Sequence, residues 1–443
     1  MAADIAGWSS SGGSLESRFF VDTGIWRDAP LLKGQTSFSP LPDVRNILVT
    51  GGEGFIASWL VRHLVLTYPS TYNIISFDKL DYCSSLNNAR MLEGRPNFKF
   101  FHGDLLKSGD VLRCLRTYEI DTVFHLAAQS HVDLSFGNSY SFTSNNVVGT
   151  HVLLESVIAV KTIKRFYHIS TDEVYGEVET DAADLTEHSV LSPTNPYAAS
   201  KAAAEMFVTA YVNSFRLPAV IIRLNNVYGP HQFPEKIIPK FINLLQRKKP
   251  LYIHGSGHNT RRFLYAGDAA DAFDTILHRG EIGRTYNVDS RDEISNLDLA
   301  AKLLSTFGVS DTTSSIQHTK DRPFNDKRYA VDGSKLRQLG WQPHVSFEEG
   351  LASTVEWYGK FSGWWGEIDS ILSPFPEVVK KEGAGGGVDG EEGEGRASGS
   401  GREGTGTIMQ AGVGAEANNG TKKANGVNGA SKKRKADAME DDG

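Results

Sequence analysis

The stretch Asn46-Ile47-Leu48-Val49-Thr50-Gly51-Gly52-Glu53-Gly54-Phe55-Ile56-Ala57-Ser58 decides how the chain is read. Residues 46–50 make a short β run, the glycines follow at once, and an apolar-periodic helix runs from Trp59 to about Leu66. Strand, glycine turn and helix in that order give a phosphate site a mechanism. The glycines let the backbone turn tightly and approach a pyrophosphate, which then meets the positive end of the helix. Ala57 stands where a third glycine is common, and its methyl still permits close helix–sheet packing. An ordinary glycine turn is the plainer alternative; the strands that follow on schedule favour the nucleotide.

Residues 73–78 form the second strand and end in Asp78. A carboxylate there accepts hydrogen bonds from ribose hydroxyls and repels a 2′-phosphate, which points to NAD rather than NADP. A cap or turn residue is the alternative for Asp78. Residues 99–105 read as a third strand whose Asp104-Leu105 could flank an adenine, and residues 122–128 as a fourth with small residues at its end. An amphipathic helix over 147–160 and a fifth strand over 165–169 follow. Regular alternation predicts an α/β fold with a parallel, doubly wound sheet.

Ser170-Thr171-Asp172-Glu173-Val174-Tyr175-Gly176 comes next, at the strand end where open α/β sheets hold ligands. Adjacent side chains of a regular strand point to opposite faces, so the acidic pair must lie just past the strand, in a turn. Two neighbouring carboxyls act as acid and base only if their surroundings separate their pKa values. Asp172 needs a raised value and Glu173 one low enough to stay ionised. A solvated acidic turn is the alternative. Asn195-Pro196 then suits a helix cap and first turn, placing Tyr197 and Lys201 one turn apart on one face. An ammonium near the phenol is expected to lower its pKa, making Tyr197 a base toward a sugar hydroxyl. A surface Tyr/Lys pair is the bland reading.

The chain has 443 residues and a formal net charge of −7, enough for a large α/β domain and a smaller lobe, with no general pull toward nucleic acid or anionic membrane. Only Cys83 and Cys114 are present, which fits a reducing compartment and no disulfide framework. No Cys/His cluster suggests a metal, no apolar run reaches membrane-spanning length, and the first residues lack a secretory pattern. A cytoplasmic protein is the expectation. Residues 1–43 read as an irregular arm whose aromatic clusters at 19–21 and 25–26 could dock on the body. Residues 44–225 read as the dinucleotide-binding domain, with segments near 261–290 returning to it, and 226–381 mainly as a smaller substrate lobe. The loop after Asn225 suits a ligand rather than a core. Arginines at 261 and 322 could grip a diphosphate, whereas Arg262 and Lys327 read individually as surface charge. Residues 382–443 are low in large apolar side chains and are expected to stay disordered. Their run Ser431-Lys432-Lys433-Arg434-Lys435 is either a nuclear-import patch or a solvated basic spot.

The motifs GGEGFIAS, HLAAQSHVD, STDEVYG, YAASK, NNVYGPHQFPEKIIP and DRPFNDKRY together resemble the nucleotide-sugar 4,6-dehydratases of the extended short-chain dehydrogenase/reductase family. The resemblance covers residues 44–375 and is most specific at Thr171-Asp172-Glu173. It implies a Rossmann-type sheet with a smaller C-terminal substrate-binding lobe, and a homodimeric NAD-dependent lyase acting on dTDP-glucose or UDP-glucose. By the same resemblance, Gly51, Gly54, Phe55 and Ile56 cradle the pyrophosphate. Asp78 and Lys79 lie at the adenosine ribose, and Asp104 and Leu105 near the adenine. Leu126, Ala127, Ala128, Ser130, Ser144, Tyr197 and Lys201 line the nicotinamide half. Ser130 and Thr171 touch the hexose; Asn226, Lys236, Arg261, Asn287, Asp321, Arg322 and Asn325 hold the nucleotide diphosphate. Val227 stands where bacterial relatives tend to have an asparagine, so no cofactor contact is carried over there. The implied chemistry uses Tyr197 as base at the C4 hydroxyl, Glu173 as base at C5 and Asp172 as acid to the departing C6 hydroxyl. Thr171 holds the C4 oxygen, and NAD takes and returns the hydride. An epimerase or decarboxylase on the same fold is one rival. A non-catalytic NAD-binding regulator is another, against which the intact residues Thr171, Asp172, Glu173, Tyr197 and Lys201 argue.

Overall fold

The computed structural model describes residues 24–179 and 182–374. The aromatic cluster at 19–21, the segment 382–443 and the basic run at 431–435 lie outside the described residues.

The strands are β1 (Asn46–Thr50), β2 (Asn73–Asp78), β3 (Phe98–His102), β4 (Thr122–His125), β5 (Arg165–Thr171), β6 (Ala219–Leu224), β7 (Asn226–Tyr228), β8 (Leu251–His254), β9 (Thr260–Tyr265), β10 (Thr285–Val288), β11 (Glu293–Ser295) and β12 (Ile316–Thr319). The principal helices are α1 (Phe55–Thr67), α2 (Ser108–Thr117), α3 (Gly149–Val160), α4 (Pro196–Phe215), α5 (Ile237–Gln246), α6 (Ala266–Arg279), α7 (Asn296–Thr306) and α8 (Phe347–Lys360). Seven strands form one sheet in the order β10-β6-β5-β4-β1-β2-β3, and every neighbouring pair is parallel. This is the doubly wound, Rossmann-type arrangement. The strand order reverses between β1 and β4, which opens a crevice at the carboxyl ends of the strands.

Both faces of the sheet are covered, and β1 shows why its apolar run is unbroken. Ile47 and Val49 enter one core with Trp59 and Leu60 of α1 and Phe273 of α6. Leu48, between them, points to the other face and packs with Ile75, Val123 and Phe166. Each such side chain contributes roughly 1.5–3 kcal/mol by leaving water.

Several boundaries differ from the sequence reading. α1 begins at Phe55 rather than Trp59, because the glycine turn ends as soon as Gly54 has served as N-cap. β3 and β4 stop at His102 and His125, so the residues after them are irregular and follow the crevice. A π-helical turn, Thr143–Val148, precedes α3. The aromatic-rich run from Trp341 to about Phe375 reads in sequence as a helix closing the globular part, but it is α-helical only over Phe347–Lys360, opened by a Ser346/Glu349 capping box; Phe361, Trp364, Ile368 and Leu372 then pack without helix into a further core. That core gathers Phe241 and Leu244 of α5, Leu299 and Leu303 of α7, and Trp357 and Tyr358 of α8.

The segment before β1 is tied down by polar contacts. Asp271 Oδ1 on α6 accepts the N–H groups of Gln35 and Thr36, at 2.7 and 2.8 Å. The Thr36 hydroxyl lies 2.8 Å from both Asp271 and Asp274. It has one proton, so it serves one carboxylate at a time; Asp274 is also met by His63 at 3.1 Å and His278 at 3.0 Å. Burial alone would raise Asp274, but the bonds from His278 and His63 outweigh it and hold it below the usual carboxylate range.

A depressed folded-state pKa contributes stability above the ordinary aspartate value and loses it as acid titrates the folded group. Asp274→Asn is therefore expected to cost on the order of 1–3 kcal/mol near neutral pH, and to lose part of the wild-type destabilisation below about pH 4. Urea denaturation at several pH values measures both.

Candidate active site

The crevice begins at the glycine turn. Gly51 has φ +71°, and a Cβ there would sit 2.8 Å from the Ala127 backbone; one on Gly52 would sit 2.2 Å from Ser76 Oγ. Only glycine leaves this space open. Among the described residues no side chain caps the first N–H groups of α1, which is the positive terminus a phosphate seeks. Gly51, Gly54, Phe55 and Ile56 line the crevice there, and these features fit a dinucleotide pyrophosphate.

Asp78, Lys79, Asp104, Leu105, Leu126, Ala127, Ala128 and Ser130 continue the same wall. Asp78 Oδ2 accepts the Glu53 N–H at 3.0 Å and Oδ1 the Leu80 N–H at 2.7 Å, so the carboxylate is fixed before any ribose arrives. Lys79 is held by Asn145 and Asp81 at 2.9 and 3.0 Å. Ser144 does not line the crevice. It sits in the π-helical turn, which brings Asn145 to the wall in its place.

Thr171 ends β5, and Asp172–Tyr175 form a 3-10 turn directly after it. The Thr171 hydroxyl accepts the Glu173 N–H at 3.3 Å. The far end of the turn is anchored by Arg223, which donates to Tyr175 Oη at 2.6 Å and grips Glu205 with two nitrogens at 3.1 and 2.6 Å. The acidic pair is far from bulk water: Asp172 is 2 % exposed and Glu173 9 %. Burial and the neighbouring Glu173 push Asp172 up to about 7. Glu173 is also raised by burial, offset by a hydrogen bond from Asn195 and by the charges of Arg261 and Lys236. Asn195 Nδ2 donates to Glu173 Oε2 at 3.2 Å while its Oδ1 accepts the Ala198 N–H at 2.8 Å. One residue caps α4 and steadies the glutamate.

Thr171, Glu173, Tyr197 and Lys201 line the crevice; Asp172 does not. It lies behind Thr171, with Oδ1 3.2 Å from the Thr171 hydroxyl and Oδ2 accepting Asn225 Nδ2 at 2.7 Å. The expectation of a lowered Tyr197 pKa is not met. Burial and the charge of Glu173 raise it, and only a bond from Thr171 offsets them. Lys201 gives its Nζ to the Ile169 carbonyl at 2.7 Å, and burial brings its own pKa down to about 8.

Ser130, Glu173, Asn226 and Lys236 border both the crevice and an adjoining cavity, whose far side carries Arg261, Arg322 and Asn325. Lys236 Nζ donates to the Ser130 carbonyl at 2.6 Å, Arg261 stacks 4.6 Å over the Tyr329 ring, and Arg322 reaches Asp133 at 3.3 Å. Two expected ligand residues lie elsewhere. Asn287 is on β10, fully buried, its amide taken by Tyr175 Oη, the Leu185 carbonyl and the Asp332 carbonyl. Asp321 accepts the N–H of Arg322 and Nδ2 of Asn325, so it shapes the loop rather than facing the cavity. Arg262 is no surface charge either: it pairs with Asp184 and Glu293 at 2.6 and 3.4 Å.

Sequence reasoning missed Glu53, Asn225 and Glu235. Glu235 is buried at the junction of both cavities, 3.9 Å from His131; its place inside the loop after Asn225 was the available signal. Glu53 is a carboxyl inside the glycine turn, bonded to Ser76 Oγ at 2.8 Å through one oxygen. Its other oxygen is buried and has no hydrogen-bond partner among the described residues. Burial and the nearby Asp78 push it up to about 8.

Comparison with known proteins agrees with this geometry. A family model described as GDP-mannose 4,6 dehydratase matches residues 48–354. The chain is 51 % identical over 340 residues to a trifunctional UDP-glucose 4,6-dehydratase, 3,5-epimerase and reductase of Arabidopsis thaliana, covering 76 % of this chain and 51 % of that one. It therefore spans about half the length of that plant relative. It is 46 % identical over 336 residues to the dTDP-D-glucose 4,6-dehydratase of Homo sapiens, covering 75 % of this chain and 95 % of the relative. The crystal structure of a dTDP-glucose 4,6-dehydratase from Streptomyces venezuelae with NAD bound superposes with a TM-score of 0.69 at 39 % identity, covering 72 % of this chain and 99 % of that one.

Glu53 supplies a pH test. A carboxyl raised from 4.5 to about 8 keeps a proton that the unfolded chain has already released. Stability therefore falls as pH rises through that window, by at most about 1.4 kcal/mol per unit. Glu53→Gln is expected to flatten this slope, read by denaturant unfolding at about pH 5.5 and 8.

Proposed function

The chain belongs to the GDP-mannose 4,6 dehydratase family, and on that premise we propose that it dehydrates a nucleoside-diphosphate glucose, dTDP-glucose or UDP-glucose, to the 4-keto-6-deoxy sugar with NAD as its cofactor. The observation that carries this reading is the buried Asp172-Glu173 pair at the end of β5, beside Thr171, Tyr197 and the dinucleotide crevice.

Gly51, Gly54, Phe55 and Ile56 would hold the pyrophosphate of NAD, with Asp78 and Lys79 at its ribose. NAD bound there would supply a hydride acceptor for C4 and a hydride donor for C6, and its positive charge would favour the Tyr197 phenolate. Tyr197 removes the proton of the C4 hydroxyl, next to Thr171. Oxidation at C4 acidifies the C5 hydrogen, and Glu173, steadied by Asn195 and the cations Arg261 and Lys236, abstracts it. Asp172, kept protonated by burial and by its neighbour's charge, is the acid for the departing C6 oxygen. Lys236, Arg261, Arg322, Asn226 and Asn325 line the cavity that would receive the diphosphate and base. No net oxidation occurs, so one bound cofactor would serve successive turnovers. In this reading residues 44–225 and the returning strand β10 bind NAD, and most of residues 226–374 bind the sugar nucleotide.

We also propose a homodimer joined through α3 and α4. Met206 and Phe215 on α4, and Val148 ahead of α3, are large apolar side chains left exposed, where a second copy would cover them. A cytoplasmic location is supported by two free thiols, Cys83 and Cys114. No described helix is long and apolar enough to cross a membrane.

Incubation with dTDP-glucose and UDP-glucose, compared side by side, is expected to give the 4-keto-6-deoxy product from at least one. Formation of a C4 epimer or release of CO2 instead would refute the dehydratase assignment. Glu173→Gln is expected to lower kcat by about 10²–10⁴-fold while NAD still binds; unaltered turnover would remove Glu173 as the C5 base. Sedimentation is expected to give twice the chain mass, and Met206→Glu to shift it toward one.

A further inference from the structure

The proposed reaction leaves two proton movements unjoined. Tyr197 gains the proton of the C4 hydroxyl, and Asp172 loses the one that departs with the C6 oxygen as water. Glu173 takes the C5 proton and returns it to C5. Each turnover therefore leaves Tyr197 protonated and Asp172 ionised, and a proton passing from the first to the second resets the site.

One hydroxyl faces Asp172 and shares the crevice with Tyr197. Thr171 Oγ1 lies 3.2 Å from Asp172 Oδ1, and Thr171 and Tyr197 line the same crevice. Thr171 lines the crevice, whereas Asp172 does not. The other carboxyl oxygen, Oδ2, accepts Asn225 Nδ2 at 2.7 Å. Asn225 cannot turn over, because its Oδ1 accepts the Ser290 backbone N–H at 2.8 Å, and a backbone N–H only donates. An oxygen met by an amide N–H at that distance is held as an acceptor, so the proton of Asp172 belongs on Oδ1, facing Thr171. Thr171, Asp172, Asn225 and Ser290 are all buried, which makes these orientations costly to break.

We propose that Asn225, keyed by the Ser290 N–H, is a positioning residue that keeps the proton of Asp172 on Oδ1, and that the Thr171 hydroxyl passes it to the leaving C6 oxygen and restores it from Tyr197. This rests on the dehydratase reading and adds a residue to it. In delivery, the Asp172 Oδ1–H bond breaks as that proton joins Thr171 Oγ1. Thr171's own proton joins the C6 oxygen, and the C6–O bond breaks with its electron pair leaving in water. The C5–H electrons, their proton going to Glu173, form the C5–C6 double bond. In the reset, the Tyr197 proton joins Thr171 Oγ1 and the Thr171 proton returns to Asp172 Oδ1. No oxidant or reductant is consumed.

Asn225→Asp tests this with almost no change in shape. The Ser290 N–H still binds one oxygen of the new side chain, but the other is an acceptor, which draws the Asp172 proton to Oδ2. On the nucleotide glucose, kcat is expected to fall about 10²-fold with KM within about threefold, and reduced nicotinamide to accumulate because C4 oxidation outruns water loss. On the analogue with fluoride at C6, which departs without a proton, the loss is expected to shrink below about tenfold. Wild-type kcat in Asn225→Asp, or an equal loss on both substrates, overturns the proposal. Thr171→Ser and Thr171→Val give a second check that does not depend on Asn225. Serine is expected to keep kcat within about tenfold and valine to lose about 10²-fold, and a fully active valine variant overturns the relay. Conversion by the wild-type chain separately tests the dehydratase reading, so its failure is distinguishable from failure of the proton assignment.

Discussion

Two carboxyl groups on consecutive residues are kept out of water at the end of β5, and much of the surrounding structure answers that constraint. Burying one ionised carboxylate is costly, and burying two side by side more so. The chain meets the cost by making the pair unequal. Glu173 is given an amide donor and two cations at a distance, which offset part of the rise that burial causes. Asp172 is given the negative charge of Glu173 as a neighbour, which favours its neutral form. The helix α4, capped by Asn195, and the end of β6, carrying Asn225, each send one amide to the pair. Acid–base division is thus a property of where two secondary-structure elements end.

The same logic explains the buried ion pair behind the turn. Arg223 and Glu205 are both nearly inaccessible and chelate one another. Such a pair adds little stability by itself. Its value lies in direction: Arg223 holds Tyr175, the last residue of the acidic turn, so the backbone carrying Asp172 and Glu173 has a fixed far end. At the glycine turn, Glu53 performs a comparable task for Asp78 through its backbone N–H, while Asn88 and Ser85 bond to its carbonyl.

The fold was legible because its signals are local. A β run before a glycine turn, an acid at the end of β2 and small residues after β4 are each short-range patterns, and the parallel sheet follows from their order. Boundaries were less legible where irregular backbone bends around the crevice, as after His102 and His125. Within the site, Thr171, Glu173, Tyr197 and Lys201 could be found because their types and spacing carry chemistry. Asn225 could not, since an asparagine after a strand is unremarkable until Ser290, distant in sequence, is seen to orient its amide. Asn287 and Asp321 show the reverse failure: motif position suggested ligands, but hydrogen bonds inside the protein had already claimed both side chains. The lowered Tyr197 pKa failed because an i, i+4 lysine was assumed to face the phenol, whereas Lys201 is drawn to the Ile169 carbonyl.

The strap that precedes β1 carries a practical lesson. A Cβ on Gly34 would stand 2.2 Å from Asp271 Oδ1, so this crossing of chain over α6 leaves no room for a side chain. Trimming the protein to begin at its first strand would strip Asp271 of its amide partners and open the outer surface of α1 and α6 to solvent. A minimal catalytic domain drawn from fold boundaries alone would thus come with unsatisfied acids on its flank, and whoever shortens this protein should start upstream of Gly34.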